Sequence, residues 1–155
     1  MWEGTVHALY TASESGAPIE SRESLTLIPG VGVAGDRYAI EKGHFSDPAR
    51  TGRELTLIEQ EAIEAVARDY SLVLEAGITR RNVLTRGVAL NHLVGRRFFV
   101  GEALVEGVRL NEPCNHLAAI TGLKRIKQAL THRGGLRARV IKGGVIRPGD
   151  TIRPV

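Results

Sequence analysis

Apolar and polar residues alternate, fully or nearly, in a series of short runs along this chain. Trp2 to Leu9, Ser24 to Ile28 (SLTLI), Glu54 to Ile58 (ELTLI), Val83 to Thr85, Arg96 to Val100 (RRFFV), Ala103 to Leu110 (ALVEGVRL) and Leu136 to Lys142 (LRARVIK) each read as a strand bounded by turn residues. In the last run Leu136, Ala138, Val140 and Lys142 alternate with Arg137, Arg139 and Ile141, so one face starts basic. A different period follows Glu54 to Ile58. Ile58, Ala62, Val66 and Tyr70 recur every four residues beside Ile63 and Ala67, which predicts an amphipathic helix at about 59–70. Leu117 to Leu130 predicts a helix broken near Gly122, with Leu123, Ile126 and Leu130 inward and Lys124, Arg125 and Lys127 outward. Ser13 to Pro18 reads as a turn, and residues 30 to 52 as a long Gly-rich polar loop, a type of segment that is usually functional or mobile.

Many short strands with frequent glycines need closure to avoid bare edges, so the expected fold is mainly β with peripheral helices (α+β), rolled into a β-barrel. The 155 residues suit one domain, and no repeat, low-complexity tract or linker divides them. The expectation is a single domain, 1–155. Eighteen glycines fit the turn-rich reading. No apolar run reaches the ~20 residues that span a bilayer, and Met-Trp-Glu-Gly lacks the basic region and apolar core of a signal peptide. A cytoplasmic protein with no membrane partner is expected. A lone cysteine forms no internal disulfide, so Cys114 needs an explanation in packing or in chemistry.

Charge changes the picture further. Residues 1–77 hold 6 basic and 13 acidic side chains, a balance of −7, whereas 78–155 hold 15 and 4, a balance of +11. The second half attracts anions, whether nucleic acid or a small phosphorylated ligand.

Gly30-Val-Gly-Val-Ala-Gly35 satisfies G-x-G-x-x-G just after a predicted strand. The dinucleotide reading fails because the third glycine leads into polar loop instead of a helix, and no parallel βαβ unit is expected to follow. The stronger cluster is Arg80-Arg81-Asn82, Asn91, Cys114 and His132-Arg133-Gly134-Gly135. Arginine grips phosphate oxygens in pairs, Asn meets a heterocycle edge as donor and acceptor, and Gly-Gly exposes backbone N–H groups. Adjacent Arg81 and Asn82 serve one ligand only if the strand ends or bulges there. His132 and Arg133 read equally as a solvated turn after the preceding helix.

Cys114 has three readings: a buried small hydrophobe, a nucleophile, or a ligand to a transition metal. Pro113 stiffens its approach, a helix begins just after it, and the surroundings are basic; Glu112 acts in the opposite sense. Zinc fits poorly, because Cys114 and His116 leave further ligands to be found among His7, His44, His92 and His132.

RRNVLTRGVALNHLVGRRFFVGEALVEGVRLNEPCNHL, followed by HRGGLRARVIKGGVIRPGD, resembles the MOSC domain, the C-terminal domain of molybdenum-cofactor sulfurases, which is also found as small standalone proteins. AGDRY at 34–38 is similar to that family's early Gly-Asp motif. The resemblance implies a MOSC-type β-barrel and a cysteine, matched by Cys114, that ligates molybdenum or carries activated sulfur. It also implies a molybdopterin cofactor with a terminal phosphate. On that basis Arg81 and Asn82 hold the cofactor's polar end, His132, Arg133, Gly134 and Gly135 complete its pocket, and Gly35, Asp36 and Arg37 close its mouth; Asn91 is counted with the cofactor-binding residues. Larger relatives add an N-terminal β-rich domain that assists cofactor binding, and reduce N-hydroxylated compounds; the expectation here is a standalone domain without it.

Three functions follow as expectations. The first is a molybdenum-cofactor protein that uses Cys114 as thiolate in reduction of a small molecule or in sulfur transfer, with an electron-donor reductase as partner. The second is a metal-free carrier that takes a persulfide on Cys114 from a cysteine desulfurase. The third is a basic nucleic-acid-binding barrel, disfavoured by 5% aromatic content and no stacking row.

Overall fold

The computed structural model describes residues 1–39, 53–75 and 77–155. Its strands are β1 (Gly4–Thr11), β2 (Glu20–Arg22), β3 (Leu25–Ile28), β4 (Gly32–Val33), β5 (Leu55–Glu59), β6 (Val83–Arg86), β7 (Arg97–Val100), β8 (Ala103–Leu110), β9 (Leu136–Lys142), β10 (Gly144–Ile146) and β11 (Thr151–Pro154). The helices are α1 (Gln60–Tyr70), α2 (Asn115–Thr121) and α3 (Ile126–Ala129), with a 3-10 turn at Leu90–Leu93.

Seven strands close on themselves in the order β1-β11-β7-β8-β9-β5-β6, with β6 returning to β1 and β2 hanging from β1. This is the expected mainly β barrel. Closure removes the edges that strands this short would otherwise leave open. A small sheet, β10-β3-β4, packs beside it. All the barrel pairings are antiparallel except β5 with β6, which are parallel and joined through α1. That corrects the expectation of no parallel βαβ unit. It does not revive the dinucleotide reading, since Gly30 to Gly35 runs through the β3–β4 turn and no helix starts there.

Period-2 patterning divides the apolar residues between two cores. Leu57, Val83, Phe98, Val105, Leu136, Ala138 and Ile152 fill the barrel. Ile58 and Leu84, the next residues along β5 and β6, face outward and meet Val66 of α1, Leu117 of α2 and Ile126 of α3 in a second core. The helices are therefore held to one outer wall, and Cys114 packs at the margin of that second core.

The predicted helix at 59–70 forms at Gln60–Tyr70, while Ile58, the first residue of its apolar stripe, belongs to β5. The predicted break near Gly122 is also present. Gly122 takes a left-handed conformation (φ 69°) and its N–H donates to the Ala118 carbonyl at 3.0 Å, ending α2. Strands β2, β4 and β10, of two or three residues, are too short to show a period in sequence, and β11 is not expected either. Of the loop predicted at 30–52, the first part contains β4, and residues 40–52, His44 among them, lie outside the described residues. No helix among the described residues is long and apolar enough to cross a membrane.

Candidate functional site

A cavity of about 320 Å³ opens beside the second core, between the barrel wall and the start of α2. Its size lies at the lower end of the ~300–1,000 Å³ usual for small-molecule sites. Cys114 lines it, as do Arg37, Arg53, Arg80, Arg81, Arg109 and Arg137. Among the described lining residues the only carboxylate belongs to Glu112, and it is engaged by His132: Oε1 accepts the His132 backbone N–H at 2.7 Å, and Oε2 lies 2.8 Å from Nδ1. Six arginines therefore line the space, and among the described residues the carboxylates set against them are Glu112 in the lining and Asp36 beside Arg37.

Arg109 and Arg137 come from β8 and β9, and three stretches of chain build the side that holds Arg80, Arg81 and Cys114. The turn at 77–80 ends with the Arg80 N–H donating to the Gly77 carbonyl, and Arg80 takes a left-handed conformation (φ 63°). The regular strand starts only at Val83, which lets Arg80 and Arg81 both reach the cavity. The segment 111–114 carries Pro113 and then Cys114, the N-cap residue of α2 in an extended conformation. Gly134-Gly135 lies against it: a Cβ on Gly134 would collide with the Asn111 carbonyl, and one on Gly135, whose φ is +109°, would collide with the Leu57 carbonyl.

Arg81 ties the three together. Its Nε donates to Gly134 O (2.9 Å), Nη1 to Thr79 O (3.1 Å) and Nη2 to Asn111 O (3.0 Å). Burial pushes its pKa down to about 10, the charges of Tyr38 and Cys114 oppose that shift, and Arg37 and Arg53 add to it. Arg81 thus stays cationic at neutral pH, electrostatically coupled to Cys114, while its donors brace the loop that carries the thiol. Arg37 is neutralised by buried Asp36, with Nη1 3.1 Å from Oδ1, and its Nη2 donates to Arg80 O. Asp36 Oδ1 also accepts from the Ala12 N–H. Burial, followed by repulsion from Arg37, lowers the pKa of Arg80. Arg137 is lowered to about 10 by burial and then by repulsion from Arg53, Arg109 and Arg81.

Of the residues singled out in the sequence, Cys114, Arg80, Arg81 and Arg37 line the cavity, and so does His116. Others sit elsewhere. Asn82 is buried behind the wall, where Oδ1 accepts from the Thr56 N–H and Oγ1 (both 3.1 Å) and Nδ2 donates to Tyr10 O. Asn91 is exposed and donates to the His132 carbonyl at 2.7 Å. His132 is exposed as well, and Arg133 turns toward α1, reaching Ala129 O and Asp69. Gly134 and Gly135 serve close packing, Asp36 supports Arg37, and Gly35 is exposed at the preceding turn. Lining residues that are not proposed as site residues, Arg53, Arg109, Arg137 and Asn111 among them, come together only through strand register and loop packing. The basic face noted in LRARVIK is the one signal that pointed to Arg137.

No group of three or more His, Cys, Asp or Glu side chains among the described residues is placed to hold a metal ion. A metal that arrives already chelated by an organic, anionic cofactor needs one soft protein donor and a cationic lining, which Cys114 and the arginines provide.

The model of the MOSC domain family matches residues 41–153. None of the curated proteins searched matches the chain. Among solved structures, the YuaD protein of Bacillus subtilis superposes with a TM-score of 0.79 at 19% identity, covering 98% of this chain and 97% of that one. YiiM of Geobacillus stearothermophilus gives 0.72 at 17% identity, over 98% of this chain and 75% of that one. YiiM of Escherichia coli gives 0.65 at 21% identity, over 100% and 70% respectively. At these identities the likeness is one of fold.

Proposed function

The chain belongs to the MOSC domain family, and from that premise we propose that it binds a molybdenum cofactor in the arginine-lined cavity, with Cys114 as the thiolate facing the metal. The observation that carries this reading is the meeting of the chain's one thiol with six guanidiniums in a single cavity. Molybdopterin bears a phosphate and its metal centre is anionic, so the lining matches it in charge. When bound, the cofactor would supply two-electron reduction of a small substrate, such as an N-hydroxylated compound, or sulfur transfer. The chain's own residues do the rest. Arg81 fixes the segment 111–114 that carries Cys114; Pro113 limits the freedom of the approach; Arg37, its charge balanced by Asp36, stands at the side formed by residues 36–38. An electron-donor reductase would complete a catalytic cycle.

Protein purified from cells competent in cofactor synthesis should release an oxidised-pterin fluorophore in near-equal amount to the polypeptide. Well-folded protein with none speaks against the reading.

A second reading draws on the same placement of Cys114 in the cavity lining. Cys114 would act as a sulfur carrier without metal. Its thiolate would attack the terminal sulfur of a desulfurase persulfide, forming a new S–S bond while the donor leaves as a thiolate. Intact-mass analysis after incubation with a desulfurase and cysteine tests this: a gain of one sulfur atom, absent in Cys114→Ala, supports it.

A further inference from the structure

Two rungs of the β8–β9 ladder differ in charge. On one, Glu106 is paired with Arg139, and its carboxylate takes both Arg139 Nη2 and Arg97 Nε. The two arginines hold the Glu106 carboxyl below its usual range by hydrogen bonding. Toward the cavity, Arg109 stands opposite Arg137. Like charges directly opposed across antiparallel strands are destabilising.

This pairing is constructed by the backbone. The register shifts between Gly107 and Arg109, leaving Val108 as an extra residue. In regular pairing position 108, not 109, would share the outward face of Glu106, and the bulge hands that place to Arg109. Arg137, two residues from Arg139, lies on the same face of β9. Both arginines line the cavity, and Arg53 adds its charge to theirs. Among the described residues their donors are less committed than those of Arg81: Arg137 makes one side-chain hydrogen bond, Nε to Asn111 Oδ1 at 3.3 Å, and Arg109 makes none.

We infer that Arg109 and Arg137 form a clamp for a dianionic oxyanion, the phosphate or sulfate-like end of a small-molecule ligand, and that the β8 bulge exists in this chain to create it. This rests on the cavity being a ligand site, but not on the identity of the metal. It assigns the anion to two residues apart from the Arg81 brace and from the His132–Gly135 turn. Two forks aimed at one tetrahedral group accept its oxygens in pairs, and the bound dianion removes the repulsion that the empty rung carries. The anion belongs either to the cofactor or to the substrate, and the clamp chemistry is the same for both.

The experiment is a thermal-unfolding titration with inorganic phosphate at low ionic strength, on wild type, R137Q and the double variant R109Q/R137Q. Without phosphate, the double variant should melt at or above the wild-type temperature, because the opposed charges are gone. Phosphate should raise the wild-type midpoint saturably, with affinity about tenfold weaker in R137Q and the saturable response lost in the double variant. This crossing of the two orders is not expected from a structural role alone. Equal responses in wild type and double variant, or no saturable response in wild type, would overturn the clamp. Repeating the titration on cofactor-loaded protein distinguishes the sources: a silenced response assigns the rung to the cofactor's phosphate, and a retained one to an anionic substrate. Pterin content, measured separately, reports on the cofactor reading whatever the phosphate result.

Discussion

Chemical suitability and side-chain direction are separable properties of a residue, and this site divides along that line. Arg81 and Asn82 are adjacent and equally fit to hold a heterocyclic phosphate, yet Arg81 reaches the cavity while Asn82 points into the wall. Adjacent residues of extended chain point to opposite sides, as expected for this pair; which of the two meets the cavity is set by the fold. Cys114 could be singled out because it is unique and follows proline. His132 was noticed for the same kind of reason, but its ring is turned out to Glu112. Asn82 has a measurable role of its own. Asn82→Ala removes the partner of the Thr56 N–H and of the Tyr10 carbonyl, both in buried surroundings, and should cost about 2–4 kcal/mol. Urea unfolding measures that loss, and a change under 1 kcal/mol, as for an ordinary exposed side chain, would contradict the bridging role.

Secondary elements were legible where a period had room to repeat. β8, β9 and α1 show their alternation or stripe over seven or more residues, whereas β10 and β11 are set by partners the local sequence does not reveal. The cavity's cationic wall escaped for the same reason: Arg109 and Arg137 are 28 positions apart, and only register with a bulge opposes them. Helix docking carries a pH signature. Asp69, at the end of α1, takes Arg68 Nε at 2.7 Å and Arg133 Nη1 at 3.0 Å, and these hydrogen bonds hold its pKa at about 2. Because the folded value lies below the ordinary 3.8, the contribution to stability is complete above about pH 4 and disappears as pH falls through 2. Asp69→Asn should therefore lower the melting temperature at pH 5 but converge with wild type near pH 2. Parallel curves across that window would contradict the assignment.

For the whole molecule, closure and charge placement act together. β11 joins β1 to β7 through Ile152, whose Cα partners are Gly4 and Val100 and whose side chain is fully buried. Ile152→Ala should cost about 2–5 kcal/mol in unfolding free energy, with a lowered but still single transition, because the barrel has one closed core; a separate early transition would contradict that. The fold was readable as a barrel because many short strands demand closure, and a basic second half was readable by counting. The gathering of that charge in a cavity beside a thiol, with Tyr38 as the aromatic ring among its described lining residues, was not, and it favours a compact anionic ligand over a nucleic-acid strand. The central claim is that Cys114 and this cavity hold a molybdenum cofactor. Its most direct test is molybdenum content per polypeptide in wild type and Cys114→Ala, purified in parallel from cofactor-competent cells, with pterin counted alongside. The account predicts near-stoichiometric molybdenum in wild type and its loss in a folded Cys114→Ala; equal molybdenum in the two would contradict it.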